Sequence, residues 1–155
     1  MKLFSSLALV AALFISSSAA ADLDTCPGNE RLFDLYNAKF STDINPQREI
    51  CIEIKGELKT DVPLQGSMIE YTVAGPADIK KTWQIGVYST MRYPSGTELP
   101  FKKGTRTLQT CFYLPPEFKD TKSGTELAFN VKITSQDKDG DDVRVLCVRG
   151  NARVA

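Results

Sequence analysis

Four cysteines, Cys26, Cys51, Cys111 and Cys147, are the residues whose type is best suited to chemistry, and the chain has no histidine. Without histidine, the Ser-His-Asp and Cys-His nucleophilic arrangements are excluded. Zinc fails on similar grounds, because no C-x-x-C pair is present either. Glu53, Glu57 and Glu70 fall at the polar positions of alternating runs, and they read as solvated faces. No two carboxylates are spaced so as to stand out as a general acid and base. The run Asp137-Lys138-Asp139-Gly140-Asp141-Asp142 looks like a calcium loop, but its sixth and twelfth places hold Asp142 and Val148. An EF-hand needs glycine and glutamate there, so a charged hairpin turn is expected instead. Lys80-Lys81 and Lys102-Lys103 read as surface doublets, the second able to meet an acidic partner or lipid headgroups. Neither an enzyme, a metal nor a cofactor is expected.

What remains for the cysteines is to pair. Lys2, the apolar run Leu3 to Ile15, and the small residues Ser16 to Ala21 form the three regions of a secretory signal peptide. The apolar run is shorter than the roughly 20 residues a membrane span requires. Ala19 and Ala21 make an A-x-A site, so residues 1–21 are expected to be removed and 22–155 to form one mature domain. An even cysteine count on an exported chain implies two disulfides. Spacing alone leaves all three connectivities open. No N-x-S/T acceptor is present, since Asn29, Asn37, Asn45, Asn130 and Asn151 all fail the test. The chain has nineteen basic and nineteen acidic residues, and loss of Lys2 leaves a net charge of about −1. Such a balance gives no drive toward nucleic acid.

The elements that carry these residues alternate with period two. Apolar side chains recur at Ile50, Ile52 and Ile54; at Ile69, Tyr71 and Val73; and at Trp83, Ile85 and Val87. They recur again at Leu108, Thr110, Phe112 and Leu114, at Leu127, Phe129, Val131 and Ile133, and at Val143 and Val145. Each run predicts a strand with one face inward. A weaker strand is expected over Leu35 to Phe40, and an irregular stretch over Asp22 to Leu32. Breakers separate the runs: Asn45-Pro46, Lys55-Gly56, Gln65-Gly66, Gly75-Pro76, Lys103-Gly104, Pro115-Pro116 and Ser123-Gly124, with Asp139-Gly140 as a hairpin. About seven strands and no convincing helix predict an all-β sandwich of two antiparallel sheets.

Parity also bears on the disulfides. Cys51 and Cys111 lie on the faces opposite Ile50, Ile52, Thr110 and Phe112, so both point away from the core. Two outward cysteines bond only across neighbouring strands of one sheet. A Cys51–Cys111 bridge is therefore expected, leaving Cys26–Cys147 to fasten the N-terminal segment to the last strand.

From Asn45 to Leu114 and on to the end, an ordered set of segments resembles the ML (lipid-recognition) domain family. Those segments are Pro46 with Ile50-Cys51-Ile52-Glu53-Ile54-Lys55, then Gly66-Ser67-Met68-Ile69-Glu70-Tyr71-Thr72-Val73, then Leu99-Pro100-Phe101-Lys102-Lys103-Gly104. Cys111-Phe112-Tyr113-Leu114-Pro115 and the last strand with Asp139-Gly140 and Cys147 complete the set. Leu99 stands where the family often has a cysteine, and Cys51 and Cys111 are not its usual partners. The resemblance implies an immunoglobulin-like sandwich with an apolar cavity between splayed sheets. It further implies a secreted, non-enzymatic carrier of a sterol or phospholipid, a monomer that touches membranes transiently. Its compartment would be extracellular or a vacuolar or lysosomal lumen. Expected cavity-wall residues are Ile52, Ile54, Tyr71, Trp83, Ile85, Phe112, Phe129 and Val131; expected mouth residues are Tyr93, Leu99, Pro100 and Phe101, in a loop that also carries Pro94. The alternative is a secreted module that binds another protein without transferring lipid.

Overall fold

The six alternating runs and the weaker stretch before them become seven strands of at least seven residues, and two short strands join them. The computed structural model describes residues 21–28, 32–61, 66–87, 91–92 and 102–155. In chain order the strands are β1 (Asp24–Thr25), β2 (Phe33–Phe40), β3 (Ile50–Leu58), β4 (Met68–Ala74), β5 (Lys80–Gly86), β6 (Met91–Arg92), β7 (Gly104–Phe112), β8 (Glu126–Gln136) and β9 (Asp142–Arg153). A single 3-10 turn, Pro116–Phe118, follows β7. One antiparallel sheet has the order β1-β9-β8-β4-β5 and the other β2-β3-β7-β6. The inward rows of both meet in one core. Ile50, Ile52, Ile54, Ile69 and Val73 are fully buried there, as a half-buried alternating strand requires. Among the described residues no helix is long and apolar enough to cross a membrane.

Two sequence expectations are corrected. Lys55-Gly56 is not a breaker, because Gly56 lies inside β3 opposite Leu35 and Arg106. A Cβ on Gly56 would stand 2.3 Å from the Phe33 ring and 2.3 Å from the Asp34 carbonyl. The residue is glycine because Phe33 packs across the strand, not because the chain turns. The stretch from Asp22 to Leu32 is not wholly irregular either. Asp22 bridges Lys39 of β2, and two residues on, Asp24 and Thr25 pair with Arg149 and Val148 of β9. That segment crosses from one sheet to the other, and Gly150 leaves room for Leu23, whose Cδ2 would lie 2.8 Å from a Cβ at that position.

The two disulfides are Cys26–Cys147 and Cys51–Cys111. Cys51 sits directly opposite Cys111 across β3 and β7. The Cys51 N–H donates to Thr42 Oγ1 at 2.9 Å and its carbonyl accepts from the Ser41 N–H at 2.9 Å. Its backbone bonds thus point away from β7. This is the non-hydrogen-bonded kind of antiparallel pair, whose side chains approach closest. The bridge lies on the outer face, yet both cysteines are buried, with the 41–42 backbone against Cys51. Cys147 reaches the outer face by another route. Strict alternation from Val143 and Val145 would point it inward. A bulge at Val145, where the register jumps from Ile133↔Leu146 to Thr134↔Arg144, reverses the parity. Leu146 and Val148 then face the core and Cys147 turns out to meet Cys26.

The clash at Gly56 generates a paired expectation. Gly56→Ala is expected to destabilise by about 2–3 kcal/mol through overpacking. Gly86→Ala, whose added Cβ meets nothing within 4 Å, is expected to change stability by less than about 1 kcal/mol. Urea midpoints of the two variants decide the matter; equal shifts would contradict the packing described.

Candidate functional site

The facing interiors hold an aromatic layer and, beyond it, a cavity. In the layer, Tyr71 of β4 stacks on Trp83 of β5 with ring centroids 5.3 Å apart and lies 4.6 Å from Phe112 of β7. Phe112 is 6.0 Å from Trp83 and 6.4 Å from Phe129 of β8, and Phe129 meets Phe40 of β2 edge-on at 4.9 Å. Rings from both sheets thus form one contiguous group, in spacings that favour aromatic pairs. Tyr71 and Thr110 share a buried hydrogen bond between their hydroxyls, from one sheet to the other. Ile52, Ile54 and Val131 are buried beside this group, whereas Trp83 and Ile85 are half-buried on the edge strand β5.

The cavity lies at the end of the sandwich where β3 and β8 finish and β9 begins. Its volume is about 440 Å³; Leu32 at one sheet's end faces Ser135, Val143 and Val145 of the other, and the exposed Thr60, Asp61, Gln136, Asp137 and Lys138 form the rim. A few hundred Å³ is the ordinary size of a small-molecule site, and here three apolar side chains and the Ser135 hydroxyl lie inside a rim of polar and charged ones. Ser135 is 2% exposed and bonds at 2.8 Å to Ser67, itself 3% exposed. Among the described residues, only Ser67, Thr110 and Ser135 are buried polar residues, and no charged one is buried. A second concavity of about 510 Å³ lies on the outer face of the five-stranded sheet, lined by Asp22, Asp24, Asn130, Arg149 and Asn151 among others. It is larger and its lining also includes Ala74, Ala128 and Phe129, but it lies on an outer face, so the space between the sheets is the better candidate for an apolar ligand.

The sequence-expected wall residues Ile52, Ile54, Tyr71, Trp83, Ile85, Phe112, Phe129 and Val131 come together in the middle layer, and none lines the 440 Å³ cavity. Leu32 and Val143 do line it. Leu32 fell in the stretch expected to be irregular, and Val143 was read only as strand core. No motif marks such positions, since the cavity arises from where strands end. The expected mouth residues Tyr93, Leu99, Pro100 and Phe101 lie outside the described residues.

The long sides of the sandwich differ. Along one, backbone bonds join the sheets: Leu23 N–H to Ala38 O at 2.8 Å and Ala155 N–H to Ile44 O at 3.0 Å. Along the other, where β5 and β6 are the edges, no backbone bond joins those two strands among the described residues. An ion pair of 2.6 Å between Lys81 of β5 and Glu117 of the 3-10 turn crosses there.

Outer-face charges are engaged with neighbours and are not simply solvated, as the sequence suggested. Glu70 accepts from Gln84 at 2.8 Å and pairs with Lys132 at 2.9 Å, Glu57 accepts from Tyr36 at 3.0 Å, and Glu53 pairs with Lys55 at 3.2 Å. Asp61 accepts from the Lys103 N–H at 2.8 Å and pairs with Lys102 at 3.4 Å. In the 137–141 turn, the Asp137 carboxylate accepts from the N–H groups of Asp139 and Asp141 at 2.8 and 3.0 Å. This is hairpin chemistry. Glu49 lies within 4.8 Å of both sulfurs of the Cys51–Cys111 bridge, but disulfide sulfurs are not thiolates and offer no metal site.

No family model matches the sequence, and no curated protein matches it. Among solved structures, the chain is similar to the crystal structure of a Niemann-Pick type C2 protein from Japanese carpenter ant. The TM-score is 0.50 at 15% identity, over 86% of this chain and 98% of that one. The likeness is one of fold, and it is the sandwich that the ML-domain resemblance implies.

The electrostatics generate a pH expectation. Hydrogen bonds from Lys103, Gln84 and Lys81 lower the carboxyl pKa of Asp61, Glu70 and Glu117 respectively. A carboxyl held lower in the folded state contributes stability that is complete above its unfolded value and is lost as pH falls through the folded one. Those windows lie below the usual 3.8 for Asp and 4.5 for Glu. With no histidine, no side chain of ordinary pKa changes charge between about pH 5.5 and pH 8. The thermal midpoint is expected to be flat across that range and to fall in stronger acid. A midpoint that moves by more than about 4 °C, roughly 1 kcal/mol, within the range would contradict this reading.

Proposed function

We propose that residues 22–155 form a non-enzymatic lipid-binding domain that takes an apolar ligand between its sheets and exchanges it at membranes. The observation that carries this reading is the 440 Å³ cavity between the ends of the two sheets, with apolar walls and a polar rim. The sequence resemblance to lipid-recognition domains supports it, as does the likeness of fold to a Niemann-Pick type C2 protein. The driving force is simple. Each Å² of apolar ligand surface removed from water contributes roughly 25 cal/mol. No bond is made or broken, so the domain needs no catalytic group.

The aromatic layer extends the site in this reading. A ligand longer than the cavity displaces the rings of Tyr71, Trp83 and Phe112 toward the β5 side, where the sheets are not joined by backbone bonds among the described residues. Residues 1–21 direct export and are removed, and Tyr93, Leu99, Pro100 and Phe101 touch the membrane. The domain works in the extracellular space or in a vacuolar or lysosomal lumen. The two disulfides fit an oxidising compartment.

Delipidated protein is expected to bind a fluorescent sterol or phospholipid saturably, with Kd on the order of 1–10 μM, and to extract it from liposomes. Mass spectrometry of protein made in a eukaryotic secretion host is expected to find co-purified lipid. Failure of both experiments overturns the proposal.

A further inference from the structure

Two inward rows end in serine at the same level. On β4 the inward side chains run Val73, Tyr71, Ile69, and then Ser67 just before the strand; on β8 they run Phe129, Val131, Ile133, Ser135. Met68 pairs with Thr134, which puts Ser67 beside Ser135. A solvent-facing strand end accounts for neither, since both are at most 3% exposed. Val87, also buried, donates its N–H to the Ser67 carbonyl at 3.1 Å and covers that side. Burying a hydroxyl is unfavourable unless it is hydrogen-bonded, and alanine or valine continues such a row without that cost. The serines nevertheless stand where the row reaches the cavity, and Ser135 lines it.

We infer that the Ser67–Ser135 hydroxyl pair determines which ligands the cavity prefers, by hydrogen-bonding one uncharged polar group at the inner end of an otherwise apolar molecule. This rests on the lipid-binding reading above and adds orientation and selectivity to it. A serine hydroxyl turns about its Cβ–Oγ bond and both donates and accepts, so it meets a ligand hydroxyl without moving the backbone. The charged groups Asp61, Asp137 and Lys138 are all on the exposed rim. No buried charge is present among the described residues to receive an ionic head. A lipid with a charged head therefore keeps that head outside, while a single-hydroxyl lipid is held hydroxyl-inward.

The test displaces a cavity-bound fluorescent hydrocarbon probe from delipidated protein with dodecanol or with 1-chlorododecane, which is similar in shape but lacks the hydroxyl. The quantity read is the ratio of the two half-displacement concentrations. For Ser67→Ala/Ser135→Ala the preference for the alcohol is expected to fall about 5-fold, the effect of one hydrogen bond, with chlorododecane affinity unchanged. Unchanged chlorododecane binding also shows that the variant folds; if the double variant does not fold, each single alanine variant is read in the same way. Thr82→Val removes an exposed hydroxyl on the outer face of β5 and is expected to leave the ratio as in the parent. A ratio unaltered by the serine changes, or altered equally by Thr82→Val, overturns the inference and leaves the lipid-binding reading standing. Failure of the unaltered protein to bind either ligand overturns the lipid-binding reading itself.

Discussion

The two sheets are held face to face by apolar side chains and by the Tyr71–Thr110 hydrogen bond, while both disulfides lie within a sheet. Cys51–Cys111 joins β3 to β7, and Cys26–Cys147 joins the segment carrying β1 to β9. An inter-sheet bridge of the immunoglobulin type would fix the separation of the layers. Here the covalent links stiffen each layer and leave the gap between layers to packing. Closing loops of 121 and 60 residues restrains the unfolded chain by about 4–5 kcal/mol each on the entropic account. The fold therefore gains stability from its disulfides without a disulfide between its layers.

The two long sides are fastened differently. The crossing at Asp22–Thr25 and the Ile44–Val154 bridge fasten one through backbone bonds. On the other, the chain passes from β5 of one sheet to β6 of the other, and the Lys81–Glu117 pair adds an exposed ion pair, which is a weak restraint. The half-buried Trp83 and Ile85 stand on that second side.

Much of this was legible in the residues. Period-two alternation is a local property, and it identified the inward faces of β3, β4, β5, β7 and β8. It also put Cys51 and Cys111 on one outer face, where only neighbouring strands let them meet. What it missed depends on distant parts of the chain. Gly56 read as a turn because nothing near it in sequence says that Phe33 lies over it. The bulge at Val145 has no signal in β9 alone, although the need to turn Cys147 outward required a change of parity somewhere. β6 has only two residues, too few for a pattern. The cavity walls Leu32 and Val143 were not foreseen because an empty space is set by where several strands stop.

The crossing of the N-terminal segment also orders events in time. Residues 22–26 are the first of the domain to be made, yet their partners Lys39, Arg149, Val148 and Cys147 are mostly in the last strand. β3 and β7 need only the first three-quarters of the chain, so both Cys51 and Cys111 are present before β9 is made. Cys26 has no native partner until β9 emerges. The chain therefore completes the Cys51–Cys111 pair before Cys26 has its native partner to meet.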